Sequence, residues 1–301
     1  MGTTAHVVVH GDAGLVALAQ HEIERLEAAW SRFRPTSEIS RLNERAGEWV
    51  AVSPDTVLLV ERAILAAAVT EGRFDPTVLG DVVRAGYDRD FAEVATRSGG
   101  SPFPASALRR GVDDLHVDAA RGAVRLAAGT GFDPGGIGKG LAADLVAARL
   151  DAEGAAGALV NLGGDLRAVG FAPDGEDWRV DLDPSASGSP IATVSLERGA
   201  VATSTTLRRW WVIGHEHRHH LIDPASGRPT EGDVVAASVL AAHAWQAEVL
   251  AKAAVVGGID VGLALIERLG ADALLVDRTG QLHPTAGFGR FQLPAPKEAI
   301  A

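Results

Sequence analysis

The sequence predicts an α+β fold, with mostly antiparallel sheet flanked by helices. Three features predict it. The C-terminal half is a succession of alternating apolar segments joined by short turns, which implies antiparallel pairing. The N-terminal half carries apolar residues at three- and four-residue steps, the period of a helix with one buried face. Between them a glycine cluster opens directly into an alanine-rich helical stretch.

In chain order, a short strand over 5–9 precedes a helix from about 13 to 32. Its buried face is read from Leu15, Leu18, Ile23, Leu26, Trp30 and Phe33. A second helix starts with Ser53 as N-cap and Pro54 as first helical residue, and Gly72 stops it. The segment "RFDPTVLGDVVRAG" reads as a loop, and residues 94–112 as a polar surface excursion. "LHVDAARGAVRLAAG" reads as a hairpin around a glycine turn. The glycine cluster then starts a helix running to about 150. Strands follow in "GALVNLGGDLRAVGF", "WRVDL", "TVSLERGAVATS", "RRWWVIG", "HRHHLID" and "VVAASVLAA". Helices near 243–256 and 259–269 and the hairpin "ALLVDRTGQLHPT" complete the chain, which reads as one domain over 1–301.

Composition narrows the function. The chain has 301 residues, 47% of them hydrophobic and 22% charged, enough for a full apolar core. A formal charge of −11 speaks against a nucleic-acid or anionic-membrane surface. The absence of cysteine excludes disulfides, thiolate ligands and a cysteine nucleophile. No membrane-length apolar run, signal peptide or myristoylation pattern is read, so a cytoplasmic location is expected. Lysine occurs only at 139, 252 and 297.

Lys139 stands in "FDPGGIGKGLAAD". A Walker A loop would need glycine at Asp133 and a hydroxyl residue at Gly140, and the dinucleotide fingerprint needs a different glycine spacing. What remains is an anion site: backbone N–H groups at a helix N-terminus, with one ammonium added. Other polar, Gly/Pro-marked segments lie at element ends: "SRFRPTSEISRLN", "GRFDPTVLG", "NLGGDL", "VATSTTLRR" and "HHLIDPASGRP". The run "HEHRHH" could place His215, His217 and His219 on one strand face, a zinc-capable geometry, but it begins at a hairpin turn and zinc is not favoured. Glu38 reads as a local hydrogen-bonding residue.

Taken in order with the opening "MGTT", these segments resemble the ApbE family of FAD:protein FMN transferases over about residues 1–255. The resemblance implies FAD as ligand, transfer of its FMN half onto a threonine of a partner protein, release of AMP, and help from magnesium. It implies that the loop Gly135, Gly136, Ile137, Gly138 and Lys139 cradles the pyrophosphate, with Lys139 neutralising charge. Phe33 would stack on the flavin or belong to the core. Asp165, Thr203, Ser204, Arg209 and His220 are candidates for polar contacts. Asp75 and Asn161 are cofactor candidates too, although these and Asp223 could instead brace their own loops. No acceptor segment of the Asp-x-x-Thr-Gly-Ala-Thr kind occurs, so self-flavinylation is not expected.

One motif departs from the family. Its magnesium ligands would be an Asp and a Thr one helical turn apart, with a backbone carbonyl, here that of Gly138. This chain has Glu248 and Lys252 at the two side-chain positions. Either they form an ordinary helix ion pair, or Lys252, held by Glu248, replaces the metal at the pyrophosphate. Lys139, Lys252 and Glu248 are therefore the catalytic candidates, with Glu248 and Gly138 as possible metal ligands. An FAD pyrophosphatase and a non-catalytic FAD binder are the alternatives.

Overall fold

The computed structural model describes residues 3–95, 111–213 and 215–294. The elements in order are β1 (Ala5–His10), α1 (Gly14–Trp30), α2 (Glu38–Glu44), β2 (Trp49–Ala51), α3 (Pro54–Val69), α4 (Leu79–Arg84), α5 (Phe91–Ala95), β3 (His116–Asp118), β4 (Ala123–Arg125) and α6 (Gly138–Ala152). There follow β5 (Gly157–Leu162), β6 (Asp165–Gly170), β7 (Trp178–Leu182), β8 (Ala192–Leu196), β9 (Gly199–Thr205), β10 (Trp210–Ile213), β11 (Glu216–His219), β12 (Ile222–Asp223), β13 (Arg228–Pro229) and β14 (Val234–Ala241). Last come α7 (Ala244–Gly257), α8 (Ile259–Arg268), β15 (Asp272–Asp277) and β16 (Leu282–Pro284).

The main sheet has seven strands in the order β1-β5-β6-β9-β14-β15-β16, every neighbouring pair antiparallel. The predicted class is therefore the observed one. Strands β5, β6 and β14 are buried along almost their whole length rather than at alternate residues, because both sheet faces are covered. Helices α6 and α7 lie side by side on one face, against β5, β6, β9 and β14. The principal core forms there and extends to Leu26 and Trp30 of α1 and Leu59 and Val60 of α3. On the other face the β7–β8 hairpin closes a second core around Leu166, Val194 and Leu240.

Local chemistry explains the element ends. Ser53 accepts a hydrogen bond from Thr56 N–H and caps α3, with Pro54 in its first turn, as expected. Helix α1 ends at Trp30, whose indole N–H donates to Thr56 Oγ1 (2.9 Å). Phe33 thus lies beyond the helix and does not continue its buried stripe. The segment expected to be a loop after Gly72 contains helix α4, six residues long with Gly80 inside it. Most of the expected excursion over 94–112 lies outside the described residues. Gly163 and Gly164, at φ 68° and 100°, form the two-residue turn between β5 and β6, a conformation that glycine adopts without steric cost.

Helices α6 and α7 approach closely at Gly140. A Cβ there would lie 2.5 Å from the Ala244 carbonyl carbon and 2.7 Å from the Trp245 nitrogen. Asp144, one turn on, accepts the N–H groups of Ala244 (2.9 Å) and Trp245 (3.0 Å), satisfying the start of α7 that no local side chain caps. Gly140→Ala would push α7 off α6. The expected loss is about 1–3 kcal/mol of unfolding free energy, measured by urea denaturation; unchanged stability would show that the contact is not tight.

Candidate functional site

Two adjoining cavities open at the N-terminus of α6. One has an aromatic and aliphatic lining from Trp30, Phe33, Phe74, Val82, Tyr87 and Ile222. The other is polar, with Thr3, Asn161, Asp165, Thr203, Ser204 and Arg208 in its wall. Gly135, Lys139, Arg209, His220 and Lys252 line both and mark their junction. The arrangement suits a ligand with a flat apolar ring at one end, a strongly polar part at the other, and charge between them.

The glycine loop at the junction is fastened from behind. Asn43 of α2 accepts the Phe132 N–H (2.7 Å) and donates to the Phe132 carbonyl (3.0 Å), while Asp133 N–H donates to the Pro76 carbonyl (2.8 Å). Asp133 turns the chain by accepting the Gly135 N–H (2.8 Å). Ile137 is fully buried in the core and anchors the loop from below; its side chain lines neither cavity. The "SEIS" segment supports the site without lining it. Ser37 caps α2, and Glu38 reaches beyond its own turn to accept hydrogen bonds from Ser53 N–H and Oγ.

Lys139 projects from the first turn of α6 between two carboxylates. Its ammonium bonds Asp165 of β6 and Glu248 Oε1 of α7 (2.7 Å), and Glu248 Oε2 accepts the Gly140 N–H (2.8 Å). Burial works against the Lys139 charge, but Asp165 and Glu248 outweigh it and hold the ammonium above its ordinary pKa. Burial also pushes the Glu248 carboxyl up to about 7, against the pull of Lys139.

The expected pair between Glu248 and Lys252 does not form. Although one helical turn separates them, Glu248 is committed to Lys139 and Gly140. Among the described residues no carboxylate stands within 4 Å of the Lys252 ammonium; Asp133, in the same cavity, lies nearest Arg32 at 3.6 Å. Burial lowers the Lys252 pKa, and nearby Asp133 and Glu248 oppose that shift. His220 is held well below its ordinary pKa by burial and by the neighbouring Lys252 and Arg209 charges, so its ring is neutral, with no partner on Nδ1.

Other predicted residues are placed as follows. Asp75 lines the aromatic cavity while its carboxylate accepts from Thr77 N–H (2.7 Å) and Oγ1 (2.6 Å). Asn161 lines the polar one while accepting Gly164 N–H (2.8 Å). Each both braces its turn and faces a cavity, whereas Asp223 braces a turn and lines neither. Thr203 pairs with Ser238 (2.8 Å). Arg209 stands at φ 52°, a left-handed conformation costly for its residue type, at the cavity junction. Phe33 sits 5.9 Å from Tyr87, ring to ring, and the Arg32 guanidinium covers both rings at 4.2 and 4.7 Å.

Sequence reasoning missed Arg32, Tyr87, Arg73 and Asp133 as cavity residues. Tyr87 is the only tyrosine of the chain, which was the one signal available. The histidine run supports no zinc site. His217 packs on Trp210 at 5.3 Å, His219 contacts the Thr230 carbonyl at 3.0 Å, and His215 sits in the turn. No cluster of three or more His, Asp or Glu suited to a metal occurs among the described residues.

The residues at the magnesium positions do not fit that ion. Magnesium requires near-octahedral oxygen ligands at about 2.0–2.1 Å. Lys252 offers an ammonium instead of an oxygen, and Glu248 already holds an ammonium and a backbone N–H.

The family model for the ApbE family matches residues 1–275. The FAD:protein FMN transferase of Treponema pallidum is 32% identical over 288 residues, covering 88% of this chain and 78% of that protein. The FAD:protein FMN transferase of Vibrio cholerae is 28% identical, covering 93% and 86%. Among solved structures, the ApbE protein of Thermotoga maritima superimposes with a TM-score of 0.84 at 26% identity over 97% of both chains. The flavin transferase ApbE of Vibrio cholerae gives 0.81 at 27% identity, over 97% of this chain and 96% of that one.

The raised Glu248 pKa has a signed consequence. Between its ordinary 4.5 and about 7, the unfolded chain releases this proton while the folded chain keeps it, so the contribution of Glu248 to stability falls as pH rises through that window. The stability margin of wild type over Glu248→Gln should therefore shrink between pH 5 and 7.5 in paired urea titrations. A margin that widens with pH would contradict the buried, proton-retaining carboxyl.

Proposed function

Because the chain belongs to the ApbE family, we propose that it transfers the FMN half of FAD to a threonine of an acceptor protein and releases AMP. The carrying observation is the junction of an aromatic and a polar cavity at a glycine loop bearing Lys139. FAD has that form: an isoalloxazine ring, a pyrophosphate and an adenosine. Phe33, beside Tyr87, offers a ring face for the flavin, and Arg209, Thr203, Ser204 and Asn161 offer polar contacts in the second cavity.

In the reaction the acceptor hydroxyl oxygen bonds to the FMN phosphorus as the P–O bond of the bridging oxygen breaks. AMP departs with the bridging oxygen, and the hydroxyl proton passes to solvent. Phosphoryl transfer of this kind depends on positioning and charge neutralisation. Lys139, held between Asp165 of β6 and Glu248 of α7, fixes the start of α6 against both elements and so serves the positioning. The side chains at magnesium's family position do not fit that ion, because Glu248 is engaged by Lys139 and Gly140 and Lys252 offers no oxygen. Among the described residues no helix is long and apolar enough to cross a membrane.

Incubation with FAD and a threonine-bearing acceptor should yield a fluorescent acceptor band and AMP. Lys139→Met should lower the rate by about 100-fold or more. Free FMN with no labelled acceptor would point to hydrolysis instead, and intact bound FAD to a binding protein.

A further inference from the structure

We infer that the Lys252 ammonium supplies the positive charge that faces the pyrophosphate of FAD, so that this site holds its dinucleotide without a divalent metal. The inference rests on the flavin-transferase reading and specifies how its substrate is held.

Four observations carry it. The Lys252 ammonium reaches the junction of the two cavities, where the middle of a two-part ligand must lie. Its charge is uncommitted, since no described carboxylate is within 4 Å, whereas Lys139 is already offset by both Asp165 and Glu248. The backbone opposite has been kept bare for it. A Cβ on Gly136 would collide with the ammonium and lie 2.8 Å from Lys252 Cε and 3.0 Å from the Phe74 ring. Finally, the oxygen donors a metal would require are missing or engaged. Glu248 holds Lys139 and Gly140, and an ammonium one turn away repels any added cation.

The charges around the junction agree. Arg209 lines the same junction, and no described carboxylate pairs with it. Asp133 and Glu248 are the carboxylates whose fields reach Lys252 most strongly. A pyrophosphate diester carries two negative charges, and Lys252 with Arg209 can match them. Burying an uncompensated ammonium is unfavourable, so an anionic ligand arriving there removes a cost as well as forming a contact.

The test measures FAD binding to the full chain by calorimetry, in EDTA and in excess magnesium, and riboflavin binding by fluorescence quenching. Wild type should bind FAD equally in both conditions. Lys252→Met, which keeps the apolar stem, should weaken FAD about tenfold or more and leave riboflavin, which has no phosphate, unchanged. FAD binding lost in EDTA and restored by magnesium overturns the inference alone, and needs only wild-type protein. So does a Lys252→Met variant with wild-type FAD affinity, or one that loses riboflavin equally. Absence of FAD binding in both conditions overturns the flavin-transferase reading and this inference with it.

Discussion

The ion cluster of Lys139, Asp165 and Glu248 is the constraint on which the site depends. It joins the first turn of α6, the start of β6 and the middle of α7, three elements that share no sequence neighbourhood. Three ionisable side chains with so little exposure to water are tolerable only because Lys139 bonds both carboxyl groups, and because the Gly140 N–H occupies the second Glu248 oxygen. Removing Lys139 would leave two buried carboxylates without their shared cation. The cluster thereby sets the spacing of sheet, glycine loop and late helix, and with it the width of the junction between the cavities.

Around that cluster the fold uses small residues for proximity. Gly140 and the alanines of α7 let two helices meet at backbone distance, so that Asp144 of one can receive the N-terminal N–H groups of the other. The arrangement also explains why α7 needs no capping residue of its own. Packing, capping and ion pairing are thus one solution read at three scales. The aromatic cavity is built differently, from Phe33, Tyr87 and Arg32 brought together from two separate loops.

Much of this could be read in the sequence, and the reasons are physical. Long helices such as α3 and α6 announce themselves through period and end signals, and the antiparallel strands through alternation and glycine turns. Helix α4, six residues with a glycine inside, has too little period to detect. The loop motifs pointed to cavity residues because unusual backbone chemistry concentrates where ligands bind. Partner choice was not legible. Glu248 sits at helical spacing from Lys252 yet binds Lys139, 109 residues away, because tertiary packing rather than helix geometry decides which cation reaches a buried carboxylate. Tyr87 could not be assigned to the cavity for the same reason.

The clamp of Asn43 on Phe132 carries a consequence for how the molecule matures. It joins positions 89 residues apart, so this anchor of the glycine loop requires a long chain closure, whereas the Asp133–Gly135 turn within the loop is local. Closures of this length are slow relative to helix formation. Local helices and the β5–β6 turn can therefore form before this anchor does. In the finished protein, fraying of the seven-residue helix that carries Asn43 would slacken the cradle and also withdraw Ile39 and Leu42 from the principal core, so the two are lost together.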